Sequence, residues 1–208
     1  MLKHVRRYIL TFCFLSTLTL WFLFQNYVLL YFFESKVEII KFLSWSPGDS
    51  PVFIFFGSLS NLHTIHFGKN FFLILIVGYI LEKTLDRKYY ISFLTLSLIL
   101  VFPLFYISSI VTGPNARFIG TSGIGSILIG YSFVLSLNEL ISEGISERVE
   151  YIIFAVSAFC YLIFEIYLFY IQGATSSLVH SLGILFGITV FIYYYSIKKG
   201  DYSSLLSR

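Results

Sequence analysis

The chain has 208 residues, of which 57% are hydrophobic and only 12% charged, with a formal net charge of +3 and a mean hydropathy of +0.84. A water-soluble domain carries about 25% charged residues, so too little polar surface is present to cover a soluble globule. The apolar residues also come in long runs rather than at amphipathic spacing, which excludes a soluble enzyme and identifies an integral membrane protein.

The first apolar run extends from Tyr8 to Phe33, behind Lys3, Arg6 and Arg7. It exceeds the about 7–15 residues of a signal-peptide core and no small-residue cleavage site follows, so it is expected to remain as the first span. Five further spans are expected, giving a set at about 8–33, 64–82, 89–112, 118–137, 150–171 and 176–197, each close to the roughly 20 helical residues that cross a bilayer. The connection over 34–62 is the only long one. Within it Val37, Ile40 and Leu43 recur at helical spacing, with Ile39 and Phe42 beside them, before Trp45 and Pro47. This predicts a short helix lying in the outer interface, and the apolar run Pro51 to Gly57 that follows is too short to span. Segments 83–88 and 172–175 are short and force their neighbours to pack antiparallel. With no internal repeat, low-complexity tract or soluble domain in 1–208, the expected fold is a single all-α, six-helix transmembrane bundle.

Lys3, Arg6, Arg7, Lys83, Arg87, Lys88, Arg148, Lys198, Lys199 and Arg208 fall on one side of these spans, against Lys36, Lys41, Lys69 and Arg117 on the other. Basic residues concentrate on cytoplasmic loops, which predicts both termini inside. Because the basic residues follow topology, the net charge points to the lipid bilayer and not to nucleic acid. Cys13 and Cys160 lie inside apolar runs and are expected as buried reduced thiols, with no disulfide framework, thiolate zinc site or other cofactor implied.

Polar and ionisable groups inside spans are expensive and so mark function. His63, His66 and Asn70 fall on the second span, Ser122 on the fourth, Glu165 on the fifth and His180 on the sixth. With both termini inside, the second, fourth and sixth spans begin at the outer face, so His66, Asn70, Ser122 and His180 share a depth. The breaker run Gly113-Pro114-Asn115 precedes Gly120-Thr121-Ser122-Gly123, which places Ser122 near a helix N-terminus, where free N–H groups suit a developing oxyanion. Ser122, Ser126 and Gly130 form a small-residue stripe, as do Gly183 and Gly187 below His180, and such faces let helix backbones approach. Close packing of these two spans would bring His180 within reach of Ser122, whose hydroxyl needs a base to become nucleophilic. His66 and Asn70, four apart, share a face and can both donate hydrogen bonds. Taken singly, each motif is equally compatible with helix packing, a satisfied core histidine or interhelical polar contacts.

Together these residues resemble the rhomboid family of intramembrane serine proteases. His66-x-x-x-Asn70 with Glu82 at the end of the same helix resembles the family's second-helix signature. Gly120-x-Ser122-Gly123 with Gly130-Tyr131 resembles its nucleophile motif, and His180-x-x-Gly183-x-x-x-Gly187 its sixth-helix motif. The resemblance covers about residues 8–197. It implies Ser122 as nucleophile, His180 as base and then acid, an oxyanion site of the Ser122 amide with His66 and Asn70, and a dyad with no acidic third member. It further implies a structural role for Glu82, a partly immersed first outer loop, substrate entry by the fifth helix, and transmembrane proteins as substrates. Many members carry an aromatic residue four positions after the nucleophile, beside the catalytic histidine. Here that place is Ser126, so His180 is expected to be oriented by another group. His63 has no assigned role, and Glu165 is expected to snorkel to the outer interface.

The sequence admits three alternatives. A rhomboid-like pseudoprotease that only binds transmembrane helices would ordinarily lack the serine or the histidine, and both are present. A metalloprotease using His63, His66, His180 and a carboxylate would call for His-Glu-x-x-His, which is missing. A carrier using Glu165 would call for inverted repeats and paired broken helices, and none is visible. Abundant Phe, Tyr and Ile suggest a compact enzyme of a prokaryotic cell membrane, while substrate identity and oligomeric state are not legible.

Overall fold

In a bilayer a long apolar segment must satisfy its backbone N–H and C=O groups internally, which favours helices. The computed structural model describes residues 8–61, 63–113, 115–143, 149–172 and 175–206. No strand occurs among them beyond an isolated antiparallel bridge between Trp45 and Phe118. Helix α1 (Ile9–Leu23) continues through a wide π turn (Phe24–Val28) and a tight turn (Leu29–Tyr31). It is followed by α2 (Lys36–Leu43), α3 (Val52–Leu59), α4 (Thr64–Thr84), α5 (Arg87–Thr112), α6 (Ser122–Glu143), α7 (Val149–Gln172) and α8 (Thr175–Leu206). Helix α1 together with its two turns (Ile9–Tyr31) and α4 to α8 are long and apolar enough to cross a membrane, six spans among the described residues, so the chain has the architecture of a multi-pass membrane protein.

Helix α6 is the central one. Burial reaches 61% of its most apolar window, against 22–33% in the other five spans, and it packs on α4, α5, α7 and α8. Its tightest partner is α8, and the cause is the pair of small-residue stripes. A β-carbon at Gly130 would collide with the Ile184 carbonyl, one at Gly187 with the Ile127 carbonyl, and one at Gly183 would lie 2.8 Å from Ser126 Cβ. Backbone therefore packs on backbone at two levels and on the small Ser126 side chain at a third.

At the opposite end of the bundle from Ser122, Glu82 of α4 receives the first turn of α1. Its two carboxylate oxygens accept from the Leu10 and Thr11 amides, both at 2.9 Å, and from the Thr11 hydroxyl at 2.6 Å. Those amides are the donors that a helix N-terminus cannot satisfy for itself. The Thr11 hydroxyl also meets Tyr90 of α5 at 2.9 Å, and Gly78 gives both side chains room.

The long connection forms α2, as its apolar spacing predicts, and also α3 over the apolar run that is too short to span, and the face of α2 turned inward differs from the expected one. Ile39 and Leu43 are buried, whereas Val37 is 59% exposed, because α2 packs on α3 and on the tight turn at the end of α1. Ser35 caps α2 by accepting from the Glu38 amide, and the Glu38 carboxylate reaches back to accept from the Glu34 amide, one residue before the cap. The fourth span starts at Ser122 rather than near 118. Residues before it are drawn out against the connection by the Trp45–Phe118 bridge and by the Gly120 amide, which donates to the Gly57 carbonyl at 2.8 Å. The cysteines also depart from expectation. Cys13 and Cys160 are free but exposed on the outer faces of α1 and α7 rather than buried.

Candidate active site

Ser122 is the first residue of α6. The strand-like approach through Phe118 and the sharp turn at Gly120 deliver it there. Gly120 has φ +132°, a conformation that side chains other than glycine rarely adopt. A β-carbon at this position would also lie 3.0 Å from His66 Cε1 and 3.3 Å from Ser122 Oγ. The His66 ring and the Ser122 hydroxyl thus meet across the bare backbone of Gly120. Arg117 fastens the same segment to the connection, donating to the Lys41 carbonyl at 3.1 Å and to Ser44 Oγ at 3.2 Å.

Ser122 and His180 line one cavity of about 70 Å³, together with Phe105, Phe118 and Val179. That volume holds about two water molecules. Helix α8 carries His180 beside Ser122 because Gly183, one turn further on, sits against Ser126. His180 Nε2 is buried and has no hydrogen-bond partner among the described residues. The two groups therefore share a cavity without being hydrogen-bonded to each other.

The other ring nitrogen of His180 is held. Nδ1 lies 3.0 Å from Glu165 Oε1 and 3.3 Å from the Tyr161 hydroxyl, both groups projecting from one face of α7. Glu165 is only 5% exposed. The expectation that it snorkels to the outer interface is thus incorrect: a histidine on the neighbouring helix offers it a partner, so the carboxylate turns inward. Tyr161, tilted against the His180 ring with centroids 6.2 Å apart, stands beside the histidine where Ser126 cannot. Ser126 instead donates to the Ser122 carbonyl at 2.6 Å.

Asn70 is buried on the same face as His66, but its amide group is engaged. Nδ2 donates to Asn61 Oδ1 at 2.7 Å, and Thr121 Oγ1 donates to the same oxygen at 3.2 Å. Gln25, on the wide turn of α1, fixes Asn61 by accepting from its amide at 3.3 Å and donating to its carbonyl at 2.9 Å. A buried polar chain of Gln25, Asn61, Asn70 and Thr121 therefore stands behind the start of α6. One of the two Asn70 N–H bonds is consumed there, leaving one for an oxyanion. His66 Nδ1 is buried without a partner among the described residues. His63 is exposed at the start of α4, and no group of three His, Cys, Asp or Glu side chains able to hold a metal ion forms among the described residues.

Sequence reading missed Asn61, Gln25, Thr121 and Tyr161. A polar Gln25 within the first span, and Tyr161 four residues before Glu165, were the available signals. No protein-family model matches the chain, and no curated protein matches it in sequence. The chemical reading of the site rests on its residues and their geometry.

Proposed function

We propose that the chain is a rhomboid-type intramembrane serine endopeptidase, with both termini cytoplasmic, that cuts transmembrane protein substrates. The observation that carries this reading is the cavity shared by Ser122, at a helix start, and His180, whose buried Nε2 has no hydrogen-bond partner among the described residues. In the first step Ser122 Oγ attacks the scissile carbonyl carbon while its proton passes to His180 Nε2. The tetrahedral oxyanion is stabilised by the Ser122 amide, by His66, and by the free N–H of Asn70. His180 then gives the proton to the leaving amine, and water repeats the sequence in reverse to release the acyl group.

A helical substrate hides its carbonyls in its own hydrogen bonds, so cleavage requires local unwinding. The preferred substrates are accordingly spans loosened by Gly, Ala or Pro near the outer membrane edge. A second reading, a silent rhomboid-like protein that holds transmembrane helices, draws on the lack of a hydrogen bond between Ser122 and His180.

Reconstitution in lipid vesicles with a single-span model substrate carrying a Gly-Ala-Pro-weakened segment tests the proposal. Cleavage near the outer edge by the parent, lost in Ser122→Ala, is the expected result. Cleavage that persists in Ser122→Ala, or that falls only in water-soluble loops distant from the membrane, overturns it. Binding without cleavage favours the silent reading.

A further inference from the structure

The carboxylate of Glu165 stands 3.0 Å from His180 Nδ1, is almost fully buried in the middle of an apolar helix, and has no place in a serine–histidine dyad. We infer that Glu165 is the orienting carboxylate of a Ser122–His180–Glu165 triad, a positioning residue that acts on the nucleophile only through the histidine. This inference rests on the proposed protease activity and departs from the dyad that the resemblance implies.

Three observations converge on it. First, an ionised carboxylate only accepts hydrogen bonds, so its approach to Nδ1 fixes a proton on that nitrogen and, in the neutral imidazole, leaves Nε2 as a bare acceptor. Nε2 is the nitrogen that lacks a partner among the described residues and belongs to the residue sharing the Ser122 cavity. Second, the same nitrogen is met by another residue of α7: the Tyr161 hydroxyl, one turn before Glu165, lies 3.3 Å from Nδ1, so the face of α7 that carries the carboxylate holds the imidazole at two points. Third, the position four residues after Ser122, from which an aromatic ring could support the histidine, is occupied by Ser126 against Gly183. The support for His180 comes from α7 instead.

The proton accounting closes within the chain. When Oγ attacks, the O–H bond breaks and its proton moves to Nε2, giving an imidazolium whose Nδ1–H already points at Glu165. The proton at Nδ1 stays there. The proton on Nε2 leaves with the amine, and the imidazole returns to its starting tautomer.

The test combines two measurements on the full chain in mild detergent. Imidazole nitrogen NMR of histidine-labelled protein, assigned with His180→Ala, reads the tautomer directly. A proton on Nδ1 with an unprotonated Nε2 is expected, and a proton on Nε2 overturns the inference. The second measurement is the rate of reaction with a fluorophosphonate. Glu165→Gln keeps the shape and removes the charge, and is expected to slow labelling about 10²- to 10⁴-fold, in line with other triads. Glu165→Asp, which restores a carboxylate one carbon short, is expected to recover part of that loss. Parental labelling by Glu165→Gln overturns the inference. If Glu165→Gln does not fold, parental labelling by Glu165→Asp and the tautomer of the unmodified chain decide the matter. A parent that never labels defeats the protease reading, while the tautomer still reports on Glu165.

Discussion

Gly187 of α8 packs directly on the carbonyl oxygen of Ile127 in α6, leaving no room for a β-carbon, and Gly130 packs in the same way on the carbonyl of Ile184. This reciprocal contact sets the spacing of the helices that carry His180 and Ser122. Gly187→Ala is expected to push α8 away from α6, because neither obstructing atom is a flexible side chain. Overpacking costs about 1–3 kcal/mol, and a backbone obstruction belongs at or above the top of that range. Thermal unfolding in detergent should show the loss, together with loss of serine labelling.

Ser126 lies too close to Gly183 to be replaced by a ring. Placing an aromatic residue there with Ser126→Phe is therefore expected to destabilise the protein rather than improve it, by about 3 kcal/mol or more. A variant as stable as the parent would show that α6 and α8 can separate at this level.

Gly120→Ala should act on chemistry more than on folding. The residue adopts φ +132° and touches both His66 and Ser122. Strain of this kind costs about 1–3 kcal/mol, and the added methyl displaces the His66 ring from the serine. Fluorophosphonate labelling is expected to fall at least tenfold in protein that still unfolds cooperatively.

In the proposed mechanism His66→Ala and Asn70→Ala would each remove one oxyanion donor, and a cost of about 10²-fold in turnover is expected for each. Asn61→Ala is expected to mimic Asn70→Ala in part, since Asn61 Oδ1 is the acceptor that holds the Asn70 amide. Its effect should be largely absent when Asn70 is already alanine. Turnover of a model substrate by the two single variants and the double variant measures that coupling.

Glu82→Ala leaves two amides of the α1 start and the Thr11 hydroxyl without their acceptor. Each buried donor left unsatisfied costs about 1–3 kcal/mol, so a large drop in unfolding temperature is expected, with Ser122 chemistry intact in the surviving folded fraction.

Much of this arrangement was legible in the sequence because the bilayer makes it so. Apolar runs long enough to span leave few alternatives to helices, and the number and order of the six spans follow directly. The stripes at Ser122, Ser126 and Gly130 and at Gly183 and Gly187 likewise announce the α6–α8 contact. What escaped were features decided by tertiary partners. The start of α6 at Ser122 depends on Phe118 pairing with Trp45, a residue 73 positions earlier in the chain, and no local signal encodes that pairing. Glu165 was misread because snorkelling and pairing begin from the same sequence, a carboxylate in an apolar helix, and only the neighbouring face of α8 distinguishes them. Asn61 was passed over because a single amide in a connection has no periodicity to reveal that it is buried.

The measurement that bears most directly on the central claim is labelling of the purified chain by a fluorescent fluorophosphonate, beside Ser122→Ala and His180→Ala. A labelled parent, with labelling abolished in both variants, is the predicted result and identifies a serine activated by this histidine. A folded parent that remains unlabelled, or that labels equally after Ser122→Ala, contradicts the assignment of Ser122 as the nucleophile.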